Sequence, residues 1–205
     1  MRHRGDLLVG LGLVAMVARA AVPAAWGDVT PALQTPGDVS PLPLLGLAPD
    51  FHLRSLEAPG VRLRDLRGKL LLLAFVCASC ADEPERVETT FVQLQRELKA
   101  QGLFGRKVVL ASIVRHPERE TRASFRAYAA RLGVDPYGWA VLSGSPETTA
   151  KLRDRFGRLG AVPAGPPGET RGRVFLVDYA GRVRRVYTDD SFKPEAVLAD
   201  LERLL

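Results

Sequence analysis

The alternation of apolar and polar residues divides the chain into a series of short elements. FHLRSL (51–56) alternates residue by residue, the period of a half-buried strand. LLLLAFV (70–76) and KVVLASIV (107–114) are almost continuous apolar runs of strand length, which suits central strands covered on both faces. Between them, in ERVETTFVQLQRELKAQG, Val87, Phe91, Leu94 and Leu98 recur at helical spacing, and Pro84 fits a first helical turn. ERETRASFRAYAARLG predicts a second helix with Phe125, Tyr128 and Leu132 on one face, and WAVL predicts a short strand. Ser145 is placed to cap a third helix, with Pro146 at its first position. GRLGAVPAGPPGETRG reads as an irregular loop. RVFLVD, a turn at YAGR and VRRVY read as a β-hairpin, and Pro194 opens a last helix.

The order β, β, α, β, α, β, α, β, β, α predicts an α/β fold with a central, mostly parallel sheet, flanking helices and a C-terminal antiparallel hairpin. In open sheets of this kind, chemistry gathers at the carboxyl ends of the strands. Cys80 and His116 each follow the carboxyl end of an expected central strand, so two residues distant in sequence are expected at one sheet edge.

The N-terminal residues carry a different pattern. MRHRGD is basic, LLVGLGLVAMVA is an apolar run of 12 residues, and small residues follow in ARAAVPAAWG. Residues 1–27 are thus expected to be an export signal, with an uncleaved membrane anchor as the alternative. Residues 28–47 read as a proline-rich tether and residues 48–205 as one domain. Export places the chain on the extracytoplasmic side, in a periplasm or facing it from a membrane anchor, where unprotected thiols tend to pair or to bind metal.

Composition adds little beyond this. The formal charge is +6, of which residues 1–27 contribute +2, and no polybasic block with interleaved aromatics appears, so nucleic acid is not an expected partner. The arginine-rich hairpin RGRVFLVDYAGRVRR reads as a polar face, and Asp189 and Asp190 as a solvated turn. His52 reads as a surface residue of an edge strand.

The chain has two cysteines, Cys77 and Cys80, in FVCASCADEP. Two thiolates and an imidazole suit Cu(I), and the chain offers Cys77, Cys80 and His116 as candidate metal ligands. The bland reading of His116 is a polar or capping residue of the HPER loop. The same C-x-x-C spacing permits a disulfide if the backbone turns between the two sulfurs. Cys80, near a helix start, would then attack and Cys77 would resolve. The order is inverted relative to the usual redox motif, and acidic Asp82 and Glu83 stand beside Cys80. A third reading makes Cys77 a small core residue in a scaffold without a working site.

The segments APDFHL, LRDLRGKLLLLAF, SIVRHPERETRASFRAYAARLG, WAVLSGSPETTAKLRDRFG and RVFLVDYAGRV carry a resemblance over residues 48 to 203. They are similar to the SCO/SenC family of thioredoxin-fold, copper-binding proteins of cytochrome oxidase assembly. PERETRASFRAYA is similar to that family's D-P-E-R-D-T segment and the helix after it, and WAVLSGSPE resembles its W-x-x-L-T-G segment. The resemblance implies a thioredoxin-like fold, copper as Cu(I), and a respiratory oxidase subunit or another thiol or copper protein as partner. Aligned on Phe75, Cys80 takes the family's first cysteine position, the second falls on Pro84, and the metal-binding histidine falls near Thr170. In the general thioredoxin pattern the resolving cysteine falls on Glu83, and the proline before the last strand pair falls on Gly172 or shifts to Pro166 and Pro167.

Overall fold

The structure is a computed structural model that describes residues 41–57, 60–77, 86–160 and 169–205. The signal, most of the tether, Cys80 and Pro84 lie outside the described residues. In chain order the elements are β1 (Gly46–Leu47), β2 (His52–Ser55), β3 (Val61–Arg62), β4 (Leu70–Val76), α1 (Arg86–Ala100), β5 (Val108–Val114), α2 (Arg122–Leu132), β6 (Trp139–Ser143), α3 (Pro146–Gly157), β7 (Val174–Val177), β8 (Arg182–Tyr187) and α4 (Pro194–Glu202). Leu63–Leu66 adds a short 3₁₀ turn. No described helix is long and apolar enough to cross a membrane.

The strands form one mixed sheet in the order β1-β8-β7-β4-β5-β6-β2-β3. β4, β5 and β6 run parallel, and Val76 lies opposite Val114 at their carboxyl ends. The β7–β8 hairpin is antiparallel, and β7 joins β4 antiparallel. β2 continues the sheet antiparallel to β6. Every residue of β4 and β5 is buried, because both faces are covered. On one face Leu70, Leu72, Ala74 and Val76 pack against α1, with Tyr128 of α2 and Val197 and Leu201 of α4 in the same cluster. On the other, Leu71, Leu73 and Phe75 pack against Leu152 and Phe156 of α3.

The helix boundaries follow their local chemistry. Thr121 accepts a hydrogen bond from the Ser124 N–H at the start of α2, and Gly133 ends that helix in the left-handed conformation. Ser145 caps α3 with Pro146 in its first turn, and Pro194 opens α4. The end of the expected tether is part of the sheet: β1 pairs with β8, and Leu42 is buried in the core.

The arginine-rich hairpin does more than present a polar face. Asp178, at the β7–β8 turn, accepts hydrogen bonds from the Ala180 and Arg182 N–H groups and from the guanidinium groups of Arg182 and Arg184. Arg184 also donates to the Leu42 carbonyl, and Arg173 donates to the carbonyls of Gly157, Leu159 and Glu169. Burial opposes ionisation of Asp178, but the backbone and side-chain bonds from Arg182 outweigh it and hold the carboxyl below its ordinary pKa. With the folded pKa depressed, the stabilisation is complete above the unfolded value near pH ~3.9 and is lost as pH falls through the folded value. Urea midpoints are therefore expected to fall on acidification below about pH 4, and Asp178→Asn is expected to flatten that dependence.

Candidate functional site at the carboxyl end of β4 and β5

Cys77 directly follows β4, and its side chain is buried at 6% exposure. Arg115 directly follows β5, and its N–H donates to the Val76 carbonyl at 2.8 Å, extending the parallel ladder by one bond. The strand register thus brings Cys77 and the Arg115–Glu120 segment to one sheet edge. Cys77 is disulfide-bonded. Its Sγ lies 3.9 Å from Glu120 Oε1. The other oxygen of Glu120 accepts a hydrogen bond of 2.7 Å from Ser124 Oγ, in the first turn of α2. Glu120 is therefore held by the same serine that completes the capping box.

His116 stands at the same edge, where the sequence places it, and its ring meets Glu118. Nδ1 lies 3.2 Å from Glu118 Oε1, and the side chain is partly exposed. The Glu118 carboxyl is held below its ordinary pKa first by its own backbone N–H and then by the His116 ring. Among the described residues no group of three His, Cys, Asp or Glu side chains stands together as a metal site. Cys80, the other sequence candidate, lies outside them. His52 is exposed, as expected for an edge strand.

The turn before β7 faces this edge. Thr170, at the position where the resemblance places a histidine, is fully buried, and its hydroxyl has no hydrogen-bond partner. The Glu169 carboxyl accepts from the Arg171 N–H at 2.7 Å, and that bond is the main cause of its lowered pKa. Arg115 is buried, and its guanidinium pKa is pushed down by burial first, then by the charges of Arg171 and Arg153, with Glu169 opposing. This gathering of arginines around a buried member has no local signal in the sequence. It forms because β5, α3 and the turn before β7 meet at one place.

Gly172 closes the turn with φ +63°, and a side chain there would meet the Asp189 carboxylate. A small cavity lined by Phe75, Val76, Val87, Glu88, Arg171 and Asp189 lies between this turn and α1. Gly172→Ala is expected to cost about 1–2 kcal/mol from the left-handed backbone alone. Thermal unfolding of the two chains side by side measures it.

A family model described as SCO1/SenC matches residues 45–205. A SCO1/SenC family lipoprotein from Bacillus anthracis str. Ames is similar in structure, with a TM-score of 0.66 and 23% identity, over 81% of this chain and 98% of that one. BsSco, described as a member of the Sco family of cytochrome c oxidase assembly proteins with a disulfide switch, gives a TM-score of 0.64 at 22% identity, over 80% and 95% of the two chains. ScoI from Bradyrhizobium japonicum, solved with copper bound, gives 0.59 at 27% identity, over 78% and 99%. No curated protein matches the sequence significantly.

Proposed function

Because the chain belongs to the SCO1/SenC family, we propose that it is an exported copper-handling protein of respiratory oxidase assembly, carrying Cu(I) as cargo on the thiolates of Cys77 and Cys80. The observation that carries this reading is the position of Cys77, buried at the carboxyl end of β4 within the matched domain. The solved ScoI relative with copper bound supports the same cargo. Two thiolates are soft donors and fit Cu(I). A threonine hydroxyl is a poor donor for it, so Thr170 does not replace the histidine that the resemblance places there. His116 is the imidazole available at this sheet edge, and it takes the third position in this reading.

A second reading rests on the oxidised state of Cys77. The chain has one other cysteine, Cys80, so the pair would act as a thiol–disulfide couple. The Cys80 thiolate attacks a partner disulfide, and one partner sulfur leaves as a thiolate. Cys77, deprotonated, then attacks Cys80 and releases the second partner thiolate. Two electrons pass to the partner as the Cys77–Cys80 bond forms, and the proton from Cys77 ends on a partner sulfur or in solvent. Loss of the dithiol in this step would also release bound Cu(I), so one pair serves both readings.

The test is an anaerobic, competitive Cu(I) titration of the reduced chain beside Cys77→Ser, Cys80→Ser and His116→Ala. One-to-one binding lost in either cysteine variant, and weakened in His116→Ala, is the expected result. Absence of competitive binding in the parent chain overturns the copper reading and leaves thiol exchange, assayed by turnover with a dithiol.

A further inference from the structure

We propose that the groove between α2 and β2 binds a free medium-chain monocarboxylate, with its head at Arg54 and Arg122 and its chain along the apolar floor. The inference is independent of the copper reading and involves neither cysteine.

The groove follows from the strand register. β2 pairs with Leu142 and Ser143, at the carboxyl end of β6. Farther back along β6, side chains line the space beside the strand. Two adjoining hollows of about 230 and 200 Å³ lie there, and they share Ser55, Leu56 and Val141. α2 supplies the facing wall, with Arg122 and Phe125 on the first hollow and Ala129 on the second, at the three- and four-residue spacing of one helix face. Val134, Pro136 and Trp139 add apolar surface to the second hollow.

The charges are ordered along this groove. Arg54 and Arg122, both exposed, line the first hollow with Ser143, and no acidic side chain among the described residues lines that end. Arg122 donates to the Leu56 carbonyl at 3.2 Å, which ties the start of α2 to the end of β2. That bond uses one of the five guanidinium donors. Among the described residues, the charged side chain on the second hollow is Glu57, of opposite sign. An anionic head is therefore drawn to one end and repelled from the other, while an apolar chain takes Leu56, Phe125 and Val141 out of water. The planar fork of arginine matches a carboxylate in particular. An apolar hollow with a few polar groups gathered at one end is the usual form of a small-molecule site. A cationic amphiphile meets the arginines with like charge, and a small hydrophilic anion leaves the floor wet.

The test is isothermal titration calorimetry of the full chain at low salt, with decanoate below its micelle threshold. Hexanoate and octanoate vary the chain, decyltrimethylammonium reverses the charge, and acetate supplies the head alone. The variants are Arg54→Gln, Arg122→Gln and Ala129→Phe, the last of which fills the second hollow without changing any charge.

The expected result is one-to-one binding of decanoate that strengthens about threefold for each methylene added from hexanoate and weakens as salt rises. Arg54→Gln and Arg122→Gln are each expected to lower the affinity about threefold, the effect of an exposed ion pair. Ala129→Phe is expected to weaken decanoate and leave hexanoate near the parent. Affinity unchanged in both arginine variants places decanoate elsewhere on the chain and overturns the site. Absence of binding in the parent, acetate binding as tightly as decanoate, or equal affinity for the cationic amphiphile overturns it too. Tighter binding of an acetylated Leu-Leu-Asp-Leu-Leu peptide, lost in the arginine variants, overturns the ligand class in favour of a partner segment. Cu(I) affinity in Arg54→Gln is expected to match the parent, so this assignment and the copper reading fail separately.

Discussion

Cys77→Ser is expected to abolish competitive Cu(I) binding while leaving the reduced protein folded. The substitution exchanges a soft thiolate for a hydroxyl at nearly constant volume, so the ligand is lost while the packing at the end of β4 is kept. The stability cost comes from placing a hydroxyl where Cys77 is buried. An unpaired buried hydroxyl costs roughly 1–3 kcal/mol, reduced where Glu120 accepts its hydrogen bond. Comparing both chains in the reduced state removes any disulfide contribution, so urea unfolding reads this cost by itself. Retained tight binding in Cys77→Ser would remove Cys77 from the site and place the metal on Cys80 and other ligands.

Phe91→Ala is the complementary case, with a large effect on the fold and none expected on the ligands. Phe91 is fully buried on the inner face of α1. Its ring meets Trp139 edge-on at 5.5 Å and Phe192 at 5.8 Å. These contacts join α1 to β6 and to the segment before α4. Truncation removes both ring contacts at once and leaves a gap between α1, β6 and the segment before α4. The expected loss is about 3–5 kcal/mol, which lowers the melting temperature by roughly 10 °C in a domain of this size. Measured well below the transition, Cu(I) affinity should match the parent. A loss under about 1 kcal/mol would mean that this face repacks, contrary to the rigidity of well-filled interiors.

What the sequence makes legible depends on how local each cause is. LLLLAFV and KVVLASIV are readable as central strands because burial on both faces leaves nearly unbroken apolar runs; the buried polar residue of β5, Ser112, accepts from the Trp139 indole N–H. Ser145, Pro146 and Pro194 announce helix starts because capping is settled within four residues. The family resemblance adds the thioredoxin-like arrangement, and the match over residues 45–205 agrees with it. β1 is not readable in this way. Its two residues lie in a proline-rich stretch without periodicity and become a strand only because β8 offers unpaired backbone groups. The short strand β3 and the 3₁₀ turn after it are hidden for the same reason within VRLRDL.

The sequence places Cys80 and His116 at one sheet edge because both follow long apolar runs; His116 stands with Cys77 at the carboxyl ends of β4 and β5, and Cys80 lies outside the described residues. The sequence does not reveal that Glu120 faces the Cys77 sulfur. The two residues are 43 positions apart, and their meeting depends on the parallel register of β4 and β5 together with the first turn of α2. Arg115 is hidden for a similar reason. An arginine directly after an apolar strand reads as solvated, yet here it is buried and is shifted by Arg171 and Arg153 from elements distant in the chain.

The two ends of the sheet bear on how separate copies of the chain meet in solution. Each end is finished by a strand of only two residues, β1 on one side and β3 on the other. Two residues offer too few free backbone groups to template another chain. β1 covers only Arg182 and Val183 of β8, and beyond them the Arg184 side chain is bonded to the Leu42 carbonyl of the same N-terminal segment, which keeps that segment against the edge. The described domain thus carries its own protection against sheet extension and aggregation, and it does so through a segment whose composition suggests nothing more than a tether.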